Sequence, residues 1–213
     1  MCFSIESSLS AWLVSVVASV ILINKGTKNN DYFTREWLPA FILVFSTIQL
    51  LEAGIWASFD NKNLTKLIFL GLLAQPLTQS YMGSKDPNIT SEVHAQILKV
   101  MTFVFSGVMI WGIWKSMTSS FSSHVGNNGR LVWNVDGSSL SNSFPGILYL
   151  IGIVLPLLFV KPIERSLPLI MVGIATFIFS WYQTRDSVSG KSEGFGSYWC
   201  FSAIAFSLTA LFV

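Results

Sequence analysis

The sequence predicts an all-α fold, a single integral membrane domain built as a bundle of seven transmembrane helices. Two observations carry that prediction. Charged residues make up 11% of the 213 and hydrophobic residues 52%, with a mean hydropathy of +0.58. A soluble domain carries about 25% charged residues, because a hydrated surface has to be built from something. The apolar residues also fall into seven blocks, at 9–24, 37–58, 64–83, 93–117, 144–160, 167–183 and 197–213. Each is near the length that crosses about 30 Å of hydrocarbon at about 1.5 Å per residue.

The first block is short and interrupted by serines, but Trp12, Val14, Val16, Val17, Val20, Ile21, Leu22 and Ile23 keep it apolar. Lys25 and Lys28 follow it and Glu6 precedes it, the reverse of a secretory leader, so it is expected to stay as a helix. The connectors NKGTKNNDYFTRE, FDNKN, SKDPNITSE, KPIERS and TRDSVSGKSEGFG carry the Gly, Pro, Asn, Asp and Ser of turns. One connector, 118–143, is longer. Its NNG and VDG triplets flank the alternating run RLVWNV, the pattern of a small hairpin lying on the membrane surface.

Seven spans put the termini on opposite sides. Lys25, Lys28 and Arg35 fall in the first loop, which makes that loop cytoplasmic, the N-terminus external and the C-terminus cytoplasmic. Cys2 and Cys200 then share the outer side. They are the only cysteines, so no cysteine-built metal site exists. A disulfide between them is permitted by the topology, and two free thiols are the favoured alternative. The net charge of +2, without a basic cluster interleaved with aromatics, excludes nucleic acid as a partner and leaves the lipid bilayer.

Within the second block, Phe45, Gln49, Glu52 and Trp56 follow the i, i+4, i+7, i+11 rhythm of one helical stripe. Leu50, Leu51 and Ile55 occupy the other faces. An ionised side chain in mid-bilayer costs on the order of 3 kcal/mol, so the stripe is expected to look into the bundle. The third block offers Gln75 and Gln79, with Pro76 freeing the carbonyl of Leu72. Consecutive spans are neighbours, which brings Gln49 and Gln75 together near the midplane. Two readings stand side by side. The glutamines alone read as interhelical glue, worth under about 1 kcal/mol per contact. The stripe with its carboxyl reads equally as a pathway or pocket for a small solute or cation. Trp56, Trp111, Trp114, Trp133 and Trp199, all near the outer side, read as an interfacial belt, with a vestibule for a ring-shaped or cationic solute as the alternative.

Offsetting the chain by 129 residues aligns REWLP (35–39) with ERSLP (164–168) and lays the third span over the seventh. That 3+1+3 layout of parallel halves is similar to SWEET-type and PQ-loop transporters, whose substrate sites lie near the midplane between halves. The proline–glutamine dipeptides of that family are absent; Gln75-Pro76 has the reverse order. The opening MCFS, the pattern Q-x-x-E-x-x-x-W (Gln49, Glu52, Trp56) and the late G-S-x-W-C (Gly196, Ser197, Trp199, Cys200) resemble uncharacterised small multi-span membrane proteins of large algal and amoebal DNA viruses. That resemblance implies a membrane location and brings no activity, cofactor or ligand.

Several chemistries are excluded. The last lysine, Lys191, precedes the seventh block, so no retinal Schiff base forms there. Only two histidines, His94 and His124, are available to a zinc hydrolase, and no G-x-S-x-G or phosphate-cradling glycine loop occurs. The chain is expected not to be an enzyme. It is expected to be a transporter or channel for a small solute or ion, or alternatively a structural or interaction protein of a viral or cellular membrane, with a homo-oligomer left open.

Overall fold

Ser4 caps the first helix: its hydroxyl accepts from the Ser7 N–H, and Ser7 Oγ accepts from the Ser4 N–H. Helix α1 then runs Ile5–Asn29, longer than its apolar block at both ends, and stops at Asn30 in the left-handed region (φ 51°). The structure, a computed structural model, describes residues 4–89, 91–126, 129–139, 146–184 and 195–213. A π-helical turn, Phe33–Trp37, leads into α2 (Leu38–Ala57). There follow α3 (Lys62–Ser84), α4 (Glu92–Thr118), α5 (Gly146–Val154, continued by a 3-10 turn Leu155–Phe159), α6 (Ile163–Thr184) and α7 (Phe195–Ala210). Each helix falls on one of the seven apolar blocks. Cys2 and the side chain of Cys200, and with them the expected disulfide, lie outside the described residues.

Helix α2 sits at the centre, against α1, α3 and α7, while α3 bridges it to α4 and α5 and α6 joins α5 to α7. The inner face of α1 is made of small residues, among them Ser8, Ala11, Ser15, Ala18 and Ser19. These let α7 approach closely, and Ser207 Oγ donates to Ser15 Oγ at 2.9 Å. At Gly26 an added Cβ would lie 2.3 Å from the Arg35 nitrogen, so only glycine lets the end of α1 abut the π turn. At Gly152 a Cβ would meet Phe105 and Pro76, which seats α5 on α3 and α4.

Consecutive helices run antiparallel. At one end Arg165 pairs with Asp31, the Tyr32 hydroxyl donates to the Met82 carbonyl, and His94 stacks on Phe159 at 4.4 Å. The α1–α2, α3–α4 and α5–α6 connections therefore share that end. At the other lie the α2–α3 loop and a sheet of three antiparallel strands, β1 (Phe121–Val125), β2 (Leu131–Val135) and β3 (Ser138–Ser139), in the order β1-β2-β3.

The sheet departs from the expected surface hairpin in two ways. It gains a third strand, because Asp136 and Gly137 (φ 52° and 76°) make the two-residue turn with both φ positive that strand twist favours. It is also built into the core. Phe121, Leu131, Trp133 and Val135 belong to the same buried cluster as α2 and α3, with β1 against α3 and β2 against α7. Polar clasps hold it there. Lys115 Nζ pairs with Asp136 Oδ2 at 2.7 Å, the Ser120 N–H donates to Asp136 Oδ1, and the Ser123 N–H donates to Asp60 Oδ1 at 3.3 Å. The bond from Lys115, then that from Ser120, draws the Asp136 carboxyl down to about 2.

The outside of the bundle is apolar. Helix α4 buries only Leu98, Phe105 and Gly112 among its residues and exposes Phe103 and Met117 by 80% and 76%. Four helical runs are long and apolar enough to cross a membrane: Ile5–Asn29, Phe33–Ala57, Glu92–Thr118 and Ile163–Thr184. Gly146–Phe159 is apolar but shorter. Helix α3 is long enough but more polar, with Lys62 and Lys66 at its start and Gln75, Gln79 and Ser80 buried inside it.

Candidate functional site

The stripe on α2 faces inward. Phe41 and Phe45 stack on each other at 5.5 Å, and Phe206 of α7 meets both edge-on. One and two turns further along, Gln49 and Glu52 have no exposed surface at all, whereas Leu50 on the opposite face is exposed. Ile55, off the stripe, is buried against packed neighbours. Trp56 is half-buried in the last turn, edge-on to Phe59 at 5.7 Å. Its Nε1 has no hydrogen-bond partner among the described residues.

On α3, Gln75 and Gln79 are likewise fully buried. The Tyr149 hydroxyl of α5 donates to Gln75 Oε1, while Gln75 Nε2 lacks a partner among the described residues. Gln75 thus spends its carbonyl on α5 rather than on Gln49. Gln79 is a two-sided link. Trp37 Nε1 donates to its Oε1 at 2.6 Å, and its Nε2 donates to the Ile153 carbonyl at 3.3 Å. Ile153 sits where α5 tightens into the 3-10 turn, and Pro156, three residues on, has no N–H to offer. The amide of Gln79 meets that carbonyl instead.

Two members of this network, Trp37 and Tyr149, went unselected in the sequence. Tyr149 had a readable signal, since it is the sole side chain with a polar group in the apolar run Gly146–Val154. Trp37 had none beyond its place at the start of a span.

A second polar cluster closes the opposite end from the sheet. Arg165 donates through both terminal nitrogens to Asp31, at 2.5 and 3.3 Å, and lies over the Phe33 ring at 5.5 Å. Thr34 Oγ1 donates to the same carboxylate at 2.6 Å. Burial pushes the Asp31 carboxyl up, but the bonds from Arg165 and Thr34 outweigh it, and the group ends below the ordinary range. Burial first, then the charges of Glu36 and Asp86, pushes the Tyr32 hydroxyl up to about 12. Asp86 is raised chiefly by burial, only partly offset by the Asn88 N–H that donates to its Oδ1.

No protein-family model matches the chain, and no curated protein sequence does.

Proposed function

We propose that the protein is a seven-span integral membrane protein that carries a small solute or ion past an occluded polar interior on α2 and α3. One observation carries this reading: Glu52 is fully buried beside Gln49 within a bundle whose outer surface is apolar. A helix bundle packs without a carboxyl, and a buried one is costly, so intramembrane acids mark function by default. Enclosure of Glu52 on every side fits a carrier in an occluded state better than an open channel. The layout supports it as well. The offset of 129 residues lays Phe33–Ala57 over 162–186, where α6 spans Ile163–Thr184, and Lys62–Ser84 over 191–213, where α7 spans Phe195–Ala210. Two parallel halves of a 3+1+3 carrier of the SWEET type would give such an alignment. The positive residues of the α1–α2 loop favour an external N-terminus.

A second reading, a structural or interaction protein of a viral or cellular membrane, is favoured by a different observation. The bonds Tyr149 to Gln75 and Trp37 to Gln79 to Ile153 use the glutamines as cross-links between helices. Reconstituted liposomes screened for proton, cation and sugar flux separate the two. Glu52→Gln is expected to change the flux or abolish its pH dependence while leaving the fold intact. Unaltered flux in that variant removes Glu52 from the mechanism. Absence of all flux, together with loss of assembly on deleting residues 122–139, favours the second reading.

A further inference from the structure

Ser123 and Trp133 are directly opposed partners across β1 and β2, and each is 4% exposed. Opposed residues of an antiparallel pair point to the same face, with Cβ atoms about 4.5–5.5 Å apart. Phe121 and Val135, the next opposed pair on that face, are buried in the core, so this is the face turned to the bundle. Ser123 Oγ and Trp133 Nε1 are both buried, and neither has a hydrogen-bond partner among the described residues. Two unmet polar groups thus belong to opposed residues on that face. The Ser123 N–H donates to Asp60, just beyond the end of α2, whose last turn carries Trp56 with an unmet N–H of its own. Deeper in the bundle the amide nitrogen of Gln75 is also unmet.

These groups share a sign. Two indole N–H groups and an amide nitrogen can only donate, and a serine hydroxyl can do so. On the bundle face of the sheet, Ser123 and Trp133 have no acceptor oxygen to donate to among the described residues, and buried donors left without one are costly. A cation would face the positive ends of these donors, and an anion would bring a full charge into an apolar core with no basic side chain among these groups. A neutral molecule meets neither objection.

We propose that the bundle face of the sheet binds a small neutral solute rich in acceptor oxygens, such as a polyol, sugar or urea-like amide, through Ser123 and Trp133. This deepens the carrier reading and rests on it for what happens to the solute once bound. The test uses the full chain in nanodiscs, with equilibrium dialysis against labelled glycerol, glucose and urea. At least one is expected to bind saturably, and Trp133→Phe and Ser123→Ala each to weaken it about tenfold, the loss of one hydrogen bond. Ser123→Ala hardly changes volume, so the ligand-free protein is expected to melt at the same temperature or higher. Saturable binding of none of the three, unchanged affinity in both variants, or a lower melting temperature for ligand-free Ser123→Ala overturns the proposal. The last would mean that the hydroxyl is already bonded. Binding without flux leaves this site standing and sinks the carrier; flux with no binding at this face does the reverse.

Discussion

Gln79 holds α2, α3 and α5 together through one amide, and Gln79→Leu tests that role without changing side-chain bulk much. The substitution removes two bonds and strands two buried groups, the Trp37 N–H and the Ile153 carbonyl. An unmet buried group costs about 1–3 kcal/mol. In membranes the measured worth of interhelical bonds averages about 0.6 kcal/mol and reaches about 1.7, because the unfolded chain finds other partners. The 2.6 Å bond to a fully buried indole belongs near the top of that range, and the 3.3 Å bond to Ile153 near the bottom. The expected loss is therefore about 1–3 kcal/mol. Reversible unfolding in mixed micelles titrated with dodecyl sulfate, followed by circular dichroism, measures it. Adding Trp37→Phe removes the stranded donor, so the double variant is expected to recover about 1 kcal/mol relative to additivity. A Gln79→Leu protein within about 0.5 kcal/mol of the parent, or a coupling near zero, would show that the amide holds nothing together.

Two other substitutions probe the end of the bundle that Arg165 closes. Gly26→Ala brings a Cβ against the backbone of Thr34 and Arg35, at 2.3 to 2.7 Å, where no side chain can swing aside. It is expected to cost about 1–3 kcal/mol, as overpacking does, whereas Gly107→Ala, with nothing within 4 Å, is expected to be neutral or stabilising in the same unfolding assay. Asp86→Asn bears on pH. Because burial raises the folded carboxyl, its contribution is fully favourable below the ordinary value of 3.8 and is lost as pH rises through the raised one. The amide variant is expected to melt higher than the parent at neutral pH and to match it in strong acid; equal melting at both would count against the burial cost.

Which stretches form helices was readable from the sequence, because apolar runs and turn residues are local signals. The inward face of Glu52 was readable too, from spacing alone. The partners were not. Trp37 meets Gln79 across 42 positions, Tyr149 meets Gln75 across 74, and Arg165 meets Asp31 across 134. Such meetings depend on how close neighbouring helices come, which glycines at 26 and 152 set and periodicity does not reveal. The sheet departs from the expected surface hairpin for a related reason. RLVWNV alternates as a half-exposed strand would, yet Val132, on the face expected to be wet, is also buried. What covers the outer face of a strand is set by tertiary packing, which local alternation does not encode.

The tether between Asp136 and Lys115 has a consequence for where this protein can keep its shape. A carboxyl that loses its proton near 2 stays charged through any acidity found in an organelle, so entry into an endosome would not loosen the sheet. Both ends of that tether are open to solvent, however, and electrolyte screens charges beyond about 8 Å at physiological strength and closer in brine. Ions in the surrounding fluid, rather than protons, are what would slacken it.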